Sequence, residues 1–203
     1  MPARVSGPSC GTATLAWPCI QPTCRRPPSP RLASSLVDCH ETQAAAEAAR
    51  YAHEVGTPTV INVEQVRPGI DDLLREIDVI IAAQEFPVEL TGHADLGQAL
   101  RAMAAEFRAA VVGVTLGADG SLAVARGREI RTRGFRVPVV DTTGAGDVFR
   151  GGFVAGWLAA GVDATAERVF AYANAVAALK CRALGAREGI PRPEEVEQLL
   201  RTC

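Results

Sequence analysis

From Leu36 onward, apolar residues come in short unbroken runs that alternate with longer segments of helical spacing. LVD closes a first short strand, and Thr42 to Val55 (TQAAAEAARYAHEV) reads as an alanine-rich helix stopped by Gly56-Thr57-Pro58. TVINVE (Thr59 to Glu64) reads as a strand, IDDLLREI (Ile70 to Ile77) as a helix and DVIIA (Asp78 to Ala82) as a strand. After a turn, Asp95 to Arg108 reads as a helix and AVVGVTL (Ala110 to Leu116) as a strand. Strands that are apolar throughout and alternate with helices belong to a parallel sheet covered on both faces. The predicted class is therefore α/β, a three-layer αβα sandwich.

Beyond Leu116 the pattern changes. Gly117-Ala118-Asp119-Gly120 separates the last strand from SLAVAR (Ser121 to Arg126), and its Asp-Gly pair is a hairpin signal because such turns need positive φ. FRVPVVD (Phe135 to Asp141) reads as a further strand. Helices are expected over Asp147 to Ala160, Thr165 to about Leu184 and, after the loop GAREGIP, Pro193 to Arg201. The first 36 residues differ: they are rich in Pro, Ser, Thr and Cys, with no acidic residue before Asp38. They are read as a disordered or unrelated segment ahead of a domain at 37–203.

Charge and cysteines narrow the classes. A net charge of −2 gives no electrostatic footprint for nucleic acid or an anionic membrane, and no run approaches the roughly 18 apolar residues that read as a membrane span. None of the six cysteines forms a C-x-x-C pair and the three histidines lack zinc spacing, so the reading is a soluble, cytoplasmic protein with reduced thiols.

The candidate chemistry lies in VVDTTGAGDVFRGGFVAGWL, Val139 to Leu158. An apolar run that ends in Thr-Thr-Gly-Ala-Gly-Asp and opens a helix points free N–H groups one way, with the positive end of the helix dipole behind them. That is an anion site, most naturally for phosphate, and small side chains let the phosphate reach the amides. Asp147 then has two readings. As a cap or first-turn acid it stabilises the helix; as a general base it takes the proton of an alcohol attacking a phosphoryl group. Local physics leaves both open.

DTTGAGDVFRGGFV resembles the C-terminal signature of the phosphofructokinase B-type (PfkB), ribokinase-like sugar kinases. In order and spacing, VTLGADGSL resembles that family's nucleotide-side hairpin and AYANAVAALKCRALGAREGIPRPEEV its adenine-side helix, loop and last helix, so that the similarity covers residues 36 to 203. The resemblance implies a Rossmann-like ribokinase-type sandwich and transfer of phosphate from ATP, with Mg2+, to an alcohol of a sugar or sugar derivative. It makes Asp147 the base and the amides of Gly144, Ala145 and Gly146 the anion hole. Thr115, Gly117 and Gly120 become nucleotide contacts, and Asn174 lies near the purine. Asp141, Thr143, Gly185 and Gly189 fall in the two segments that hold a monovalent cation in several members, which allows K+ here. Assembly is left open, a homodimer included.

There are also departures. The Asn-x-x-Glu motif that often follows the strand equivalent to DVIIA is replaced by AAQEFPVELTG, where Glu85 is the nearest substitute for a magnesium-linked acid. Residues 1–36 resemble none of the family's first strands, lid or sugar-binding residues, so the chain reads as the nucleotide half. Three functions compete: a sugar kinase, a nucleotide-binding remnant without catalysis, and a dinucleotide-binding oxidoreductase. The third is weak because position 149 is Phe where G-x-G-x-x-G needs its last glycine. No Walker A motif occurs.

Overall fold

Val60, Ile61 and Val63 have no exposed surface, and neither do Val79, Ile80, Ile81 and Ala82. Such runs require strand neighbours on both edges and cover on both faces, and the computed structural model, which describes residues 33–161 and 165–202, supplies both. Strands β1 (Ser35–Asp38), β2 (Thr59–Val63), β3 (Val79–Ala82) and β4 (Val111–Thr115) run parallel, side by side in chain order. β5 (Ser121–Ala125) and β6 (Arg128–Thr132) extend the sheet antiparallel beyond β4.

Parallel strands laid down in sequence with crossovers of one hand place all their helices on one face. Helices α1 (Thr42–Glu54), α2 (Ile70–Leu74), α3 (Phe86–Thr91) and α4 (Leu96–Phe107) accordingly share one core, where Ala49, Leu73, Phe86 and Met103 pack on Ile61, Ile80 and Val112. The other face is left for the chain that follows the hairpin. α5 (Ala145–Ala160) and α6 (Ala166–Lys180) cover it, setting Phe149, Phe153, Trp157 and Phe170 on Val79, Ile81 and Val111. This is the three-layer α/β sandwich expected. α7 (Pro193–Arg201) packs Val196 against Leu179 of α6.

Three glycines set how closely the layers meet. Gly113 in β4 makes room for the Phe170 ring, where an added Cβ would lie 2.6 Å from Cζ. Gly152 and Gly156 of α5 face Val176 and Tyr172 of α6, each with an added Cβ 2.9 Å from the neighbouring side chain. Phe153 stacks edge-on against Phe170, ring centroids 5.2 Å apart, and completes the seam.

Several expected elements differ. Phe135–Asp141 is not a strand: Pro138 offers no N–H, Val139 and Val140 are each 62% exposed, and the N–H groups of Val140 and Asp141 donate to the Cys181 carbonyl. β6 is a strand that the apolar pattern does not announce. It follows a tight turn in which Arg126 and Gly127 both have positive φ, at 50° and 73°. α3 occupies what reads as a turn, because Pro87 sits in its first turn, where a missing N–H costs nothing. α2 stops at Leu74 and α6 at Lys180, both short of the sequence reading.

The reading of residues 1–36 falls, for 1–32, outside the described residues, while Ser35 and Leu36 belong to β1. Among the described residues, no helix is long and apolar enough to cross a membrane.

Candidate active site

All four parallel strands end at one edge, the general location of binding crevices in such sheets. Asp38 ends β1 with Cys39 and His40 after it, Glu64, Gln65 and Arg67 follow β2, and Thr115 ends β4. The N-terminus of α5 comes to the same edge and separates two clefts.

The larger cleft, about 630 Å³, is lined by Thr115, Gly117, Gly120, Ala145, Gly146 and Asn174, among others. Six of the seven nucleotide-side residues named from sequence, Thr115, Gly117, Gly120, Ala145, Gly146 and Asn174, thus share one cavity, and Gly144 does not line it. Phe135, Val137, Val139, Ala177 and Ala178 give it an apolar wall, so the stretch misread as a strand is part of that wall. The smaller cleft, about 370 Å³, is polar and is lined by Asp38, Cys39, His40, Asn62, Glu64, Gln65, Arg67 and Asp147. Asn62 Oδ1 and Arg67 Nε are buried there without a hydrogen-bond partner. Gly146 and Asp147 are consecutive, yet they face different clefts.

The first turn of α5 explains this arrangement. Gly144 is its N-cap, in the left-handed region at φ 74°, and a Cβ there would come 3.0 Å from Ala186. Ala145 N–H donates to the Thr142 carbonyl at 3.0 Å, so of the three amides expected in the anion hole this one is occupied by the turn. Gly146 and Asp147, as the next helical residues, have N–H groups without intrahelical acceptors. Asp147 does not cap the helix. Its carboxylate is 77% exposed and accepts from Arg150 Nη1 at 3.0 Å, while Arg150 Nη2 donates to Glu64 Oε1 at 3.2 Å. Arg150 itself is 6% exposed in its side chain, and its Nε has no partner. A buried guanidinium therefore ties Asp147 to the end of β2, a link that the sequence reading missed.

Two residues named as nucleotide contacts also have structural duties. Gly120 has φ 95°, and a Cβ there would run into the Thr132 carbonyl and Gly134 N, so the hairpin's closure requires glycine. Asn174 donates to Ser121 Oγ at 3.0 Å and, more weakly, to the carbonyls of Thr132 and Arg133 at 3.4 Å. It pins α6 to the hairpin.

The segments of the expected cation site meet as well. Asp141 Oδ1 accepts from Thr143 N at 2.9 Å and Thr143 Oγ1 at 2.7 Å, and Oδ2 accepts from Gly185 N at 2.7 Å. Thr143's two bonds lead, with Gly185 N–H and the nearby Lys180 charge adding, in holding the Asp141 carboxyl at about 2, below its ordinary 3.8. Gly189 lies against the Lys180 carbonyl, where a Cβ has no room. Glu85 is exposed ahead of α3 and lines neither cleft. Among the described residues, no cluster of three His, Cys, Asp or Glu side chains is arranged to hold a metal.

Residues 31–193 match the family described as pfkB family carbohydrate kinase, which is most of the chain. The chain belongs to the PfkB family. Ribokinase of Haemophilus influenzae is 32% identical to this PfkB chain over 157 residues, covering 75% of this chain and 50% of that protein. Fructokinase of Escherichia coli is 31% identical, over 61% of this chain and 41% of that one. Among solved structures, Arabidopsis thaliana ribokinase complexed with ribose and ATP superposes with a TM-score of 0.73 at 26% identity, covering 82% of this chain and 55% of that one. Aminoimidazole riboside kinase of Salmonella enterica, complexed with aminoimidazole riboside and an ATP analogue, gives 0.70 at 23% identity, over 85% and 65%, and supports the fold alone. This PfkB chain spans about half the length of the curated relatives it matches.

Proposed function

We propose that this chain binds ATP in the larger cleft and serves the transfer of its terminal phosphoryl group, with ADP as the leaving group, to an alcohol of a sugar or sugar derivative held beside Asp147. The observation that carries the reading is the first turn of α5, which turns Gly146 toward one cleft and the Asp147 carboxylate toward the next. Phosphoryl transfer asks a protein for positioning and charge stabilisation more than for covalent chemistry. The larger cleft is of small-ligand size, with an apolar wall for a base and a helix N-terminus for phosphates. Magnesium enters with ATP as part of the substrate.

In this reading the amides of Gly146 and Asp147, backed by the α5 dipole, stabilise charge on the transferring phosphoryl group. Asp147 accepts the acceptor's hydroxyl proton, and Arg150 fixes the carboxylate's direction. The acceptor lies in the smaller cleft, where the unpartnered Asn62 Oδ1 and Arg67 Nε are groups a polyhydroxylated ligand can satisfy. Cys39 and Cys181, both free and buried, go with a reducing cytoplasmic setting.

The test pairs calorimetry, ATP against NAD, with ADP release across a panel of pentoses, hexoses and nucleosides, for the wild type and Asp147→Asn. Because Asp147 makes no cap bond, the variant unfolds at nearly the wild-type temperature while phosphotransfer drops by about 10²–10⁴-fold. Binding of NAD in preference to ATP, or a variant that keeps most of its rate, defeats the assignment. The half-length match to the relatives favours a second reading, nucleotide binding alone; ATP binding without turnover on any acceptor selects it.

A further inference from the structure

α6 ends in an apolar run, Ala175 to Leu179, and then places Lys180 with no exposed surface at all. A lysine loses its hydration at such a position, and it is tolerated where oxygens take over from water. Here Nζ donates to the backbone carbonyl of Asp141 at 3.0 Å. The same small region joins two segments of chain. The Cys181 carbonyl accepts from Val140 N and Asp141 N, and the Asp141 carboxylate accepts from Thr143 and Gly185.

These are the segments that the family resemblance makes the walls of a monovalent-cation site, and the residues present do not fit a free ion. One backbone oxygen of those walls, the Asp141 carbonyl, is taken by an ammonium. Both oxygens of the Asp141 carboxylate are taken by N–H or O–H donors. A second positive charge would also meet the first across a short, poorly screened gap.

We propose that Lys180 is a tethered replacement for the monovalent cation. Its ammonium supplies from within the chain the positive charge that holds the Asp141–Gly144 turn against the loop 181–189. That turn leads into Gly144, which itself abuts Ala186, so the lysine sets the position of the α5 N-terminus through its two neighbours. Lys180 is a positioning residue in this scheme, and the protein behaves as indifferent to K+. The proposal stands whichever substrate, if any, is phosphorylated.

The experiment is thermal unfolding of the full chain without nucleotide or sugar, at constant ionic strength, in potassium, sodium or tetramethylammonium chloride. The wild type is expected to show one midpoint in all three. Lys180→Met is expected to unfold at a lower temperature in tetramethylammonium and to recover on titration with potassium, saturably. Lys180→Gln, which keeps a donor but no charge, serves as the second variant and behaves the same way. If neither variant folds in tetramethylammonium, refolding in potassium becomes the readout: recovery supports the proposal and failure in both salts overturns it. A wild type stabilised saturably by potassium over tetramethylammonium overturns it too, as do folded variants that are as indifferent as the wild type. No arm uses ATP, so failure here leaves the nucleotide reading intact.

Discussion

Gly151 and Gly152 are neighbours in one helix and should respond oppositely to the same substitution. Either change to alanine removes a helical glycine and gains about 1 kcal/mol of helix propensity. Gly151 is exposed, and an added Cβ meets nothing within 4 Å. Its alanine variant should keep the whole gain, a midpoint higher by roughly 2–4 °C for a domain of this size. At Gly152 the added Cβ lies 2.9 Å from Val176 Cβ and 3.1 Å from both its γ carbons. Carbon atoms pack at about 3.5–4.0 Å, so the helices must part by roughly 0.6–1 Å. Val176 cannot swing clear, because its Cβ is fixed to the α6 backbone and its branched side chain is stiff. Overpacking of this kind costs about 1–3 kcal/mol, which cancels or exceeds the propensity gain. The two variants should therefore differ by about 1–3 kcal/mol in urea unfolding, with Gly152→Ala the weaker. Displacing α5 also moves Gly146 and Asp147, so Gly152→Ala alone should lose ATP affinity by calorimetry. Equal midpoints for the two variants would refute the claim that the α5–α6 seam is closed to a methyl group.

Asn174→Leu leaves Ser121 Oγ and the Thr132 carbonyl without their amide donor. Each buried group so stranded costs about 1–3 kcal/mol, so denaturant unfolding should show a loss of stability even without nucleotide. Arg150→Met breaks two pairs with largely exposed carboxylates, 77% and 59%, each worth about 0–1 kcal/mol. Its midpoint should fall modestly, while any phosphotransfer falls much further because Asp147 loses its fixed direction; equal fractional losses in a variant with an intact fold would remove Arg150's positioning role. For Asp141, the folded-state value of about 2 lies below the ordinary 3.8, so protonation favours the unfolded chain. Its stabilisation is complete above about pH 4 and disappears as pH falls through about 2. The midpoint gap between the wild type and Asp141→Asn should therefore narrow across that window, and a gap that stays constant with pH would contradict it.

The sequence showed the parallel strands and the α5 turn for the same reason: both are local. An unbroken run such as VII in β3 admits few environments, and Gly-Ala-Gly ahead of a helix needs only neighbouring residues to be read. What stayed hidden depends on distant partners. β6 has a single buried residue, Ile130, and its turn puts Arg126 at positive φ, where Asn or Gly would have announced it. The Phe135–Asp141 run looks like a strand because cleft walls and sheet cores draw on the same residues. Arg150 and Lys180 were passed over because basic residues in helices usually face water. The available signals were the three-residue spacing from Asp147 to Arg150 and a lone lysine closing an apolar run.

The two-faced first turn of α5 also bears on how such a protein diversifies. The larger cleft draws on residues from Thr115 onward, whereas the smaller cleft takes all its side chains except Asp147 from the ends of β1 and β2. Inheritance can treat these as separate modules. Exchanging His40, Gln65 or Arg67 alters what the small cleft admits and leaves the lining of the larger cleft untouched, so under the proposed function new acceptors can be tried without rebuilding the nucleotide side. Asp147 is the one lining residue of the small cleft that α5 supplies, so a change there is the one that also reaches the helix bordering the larger cleft.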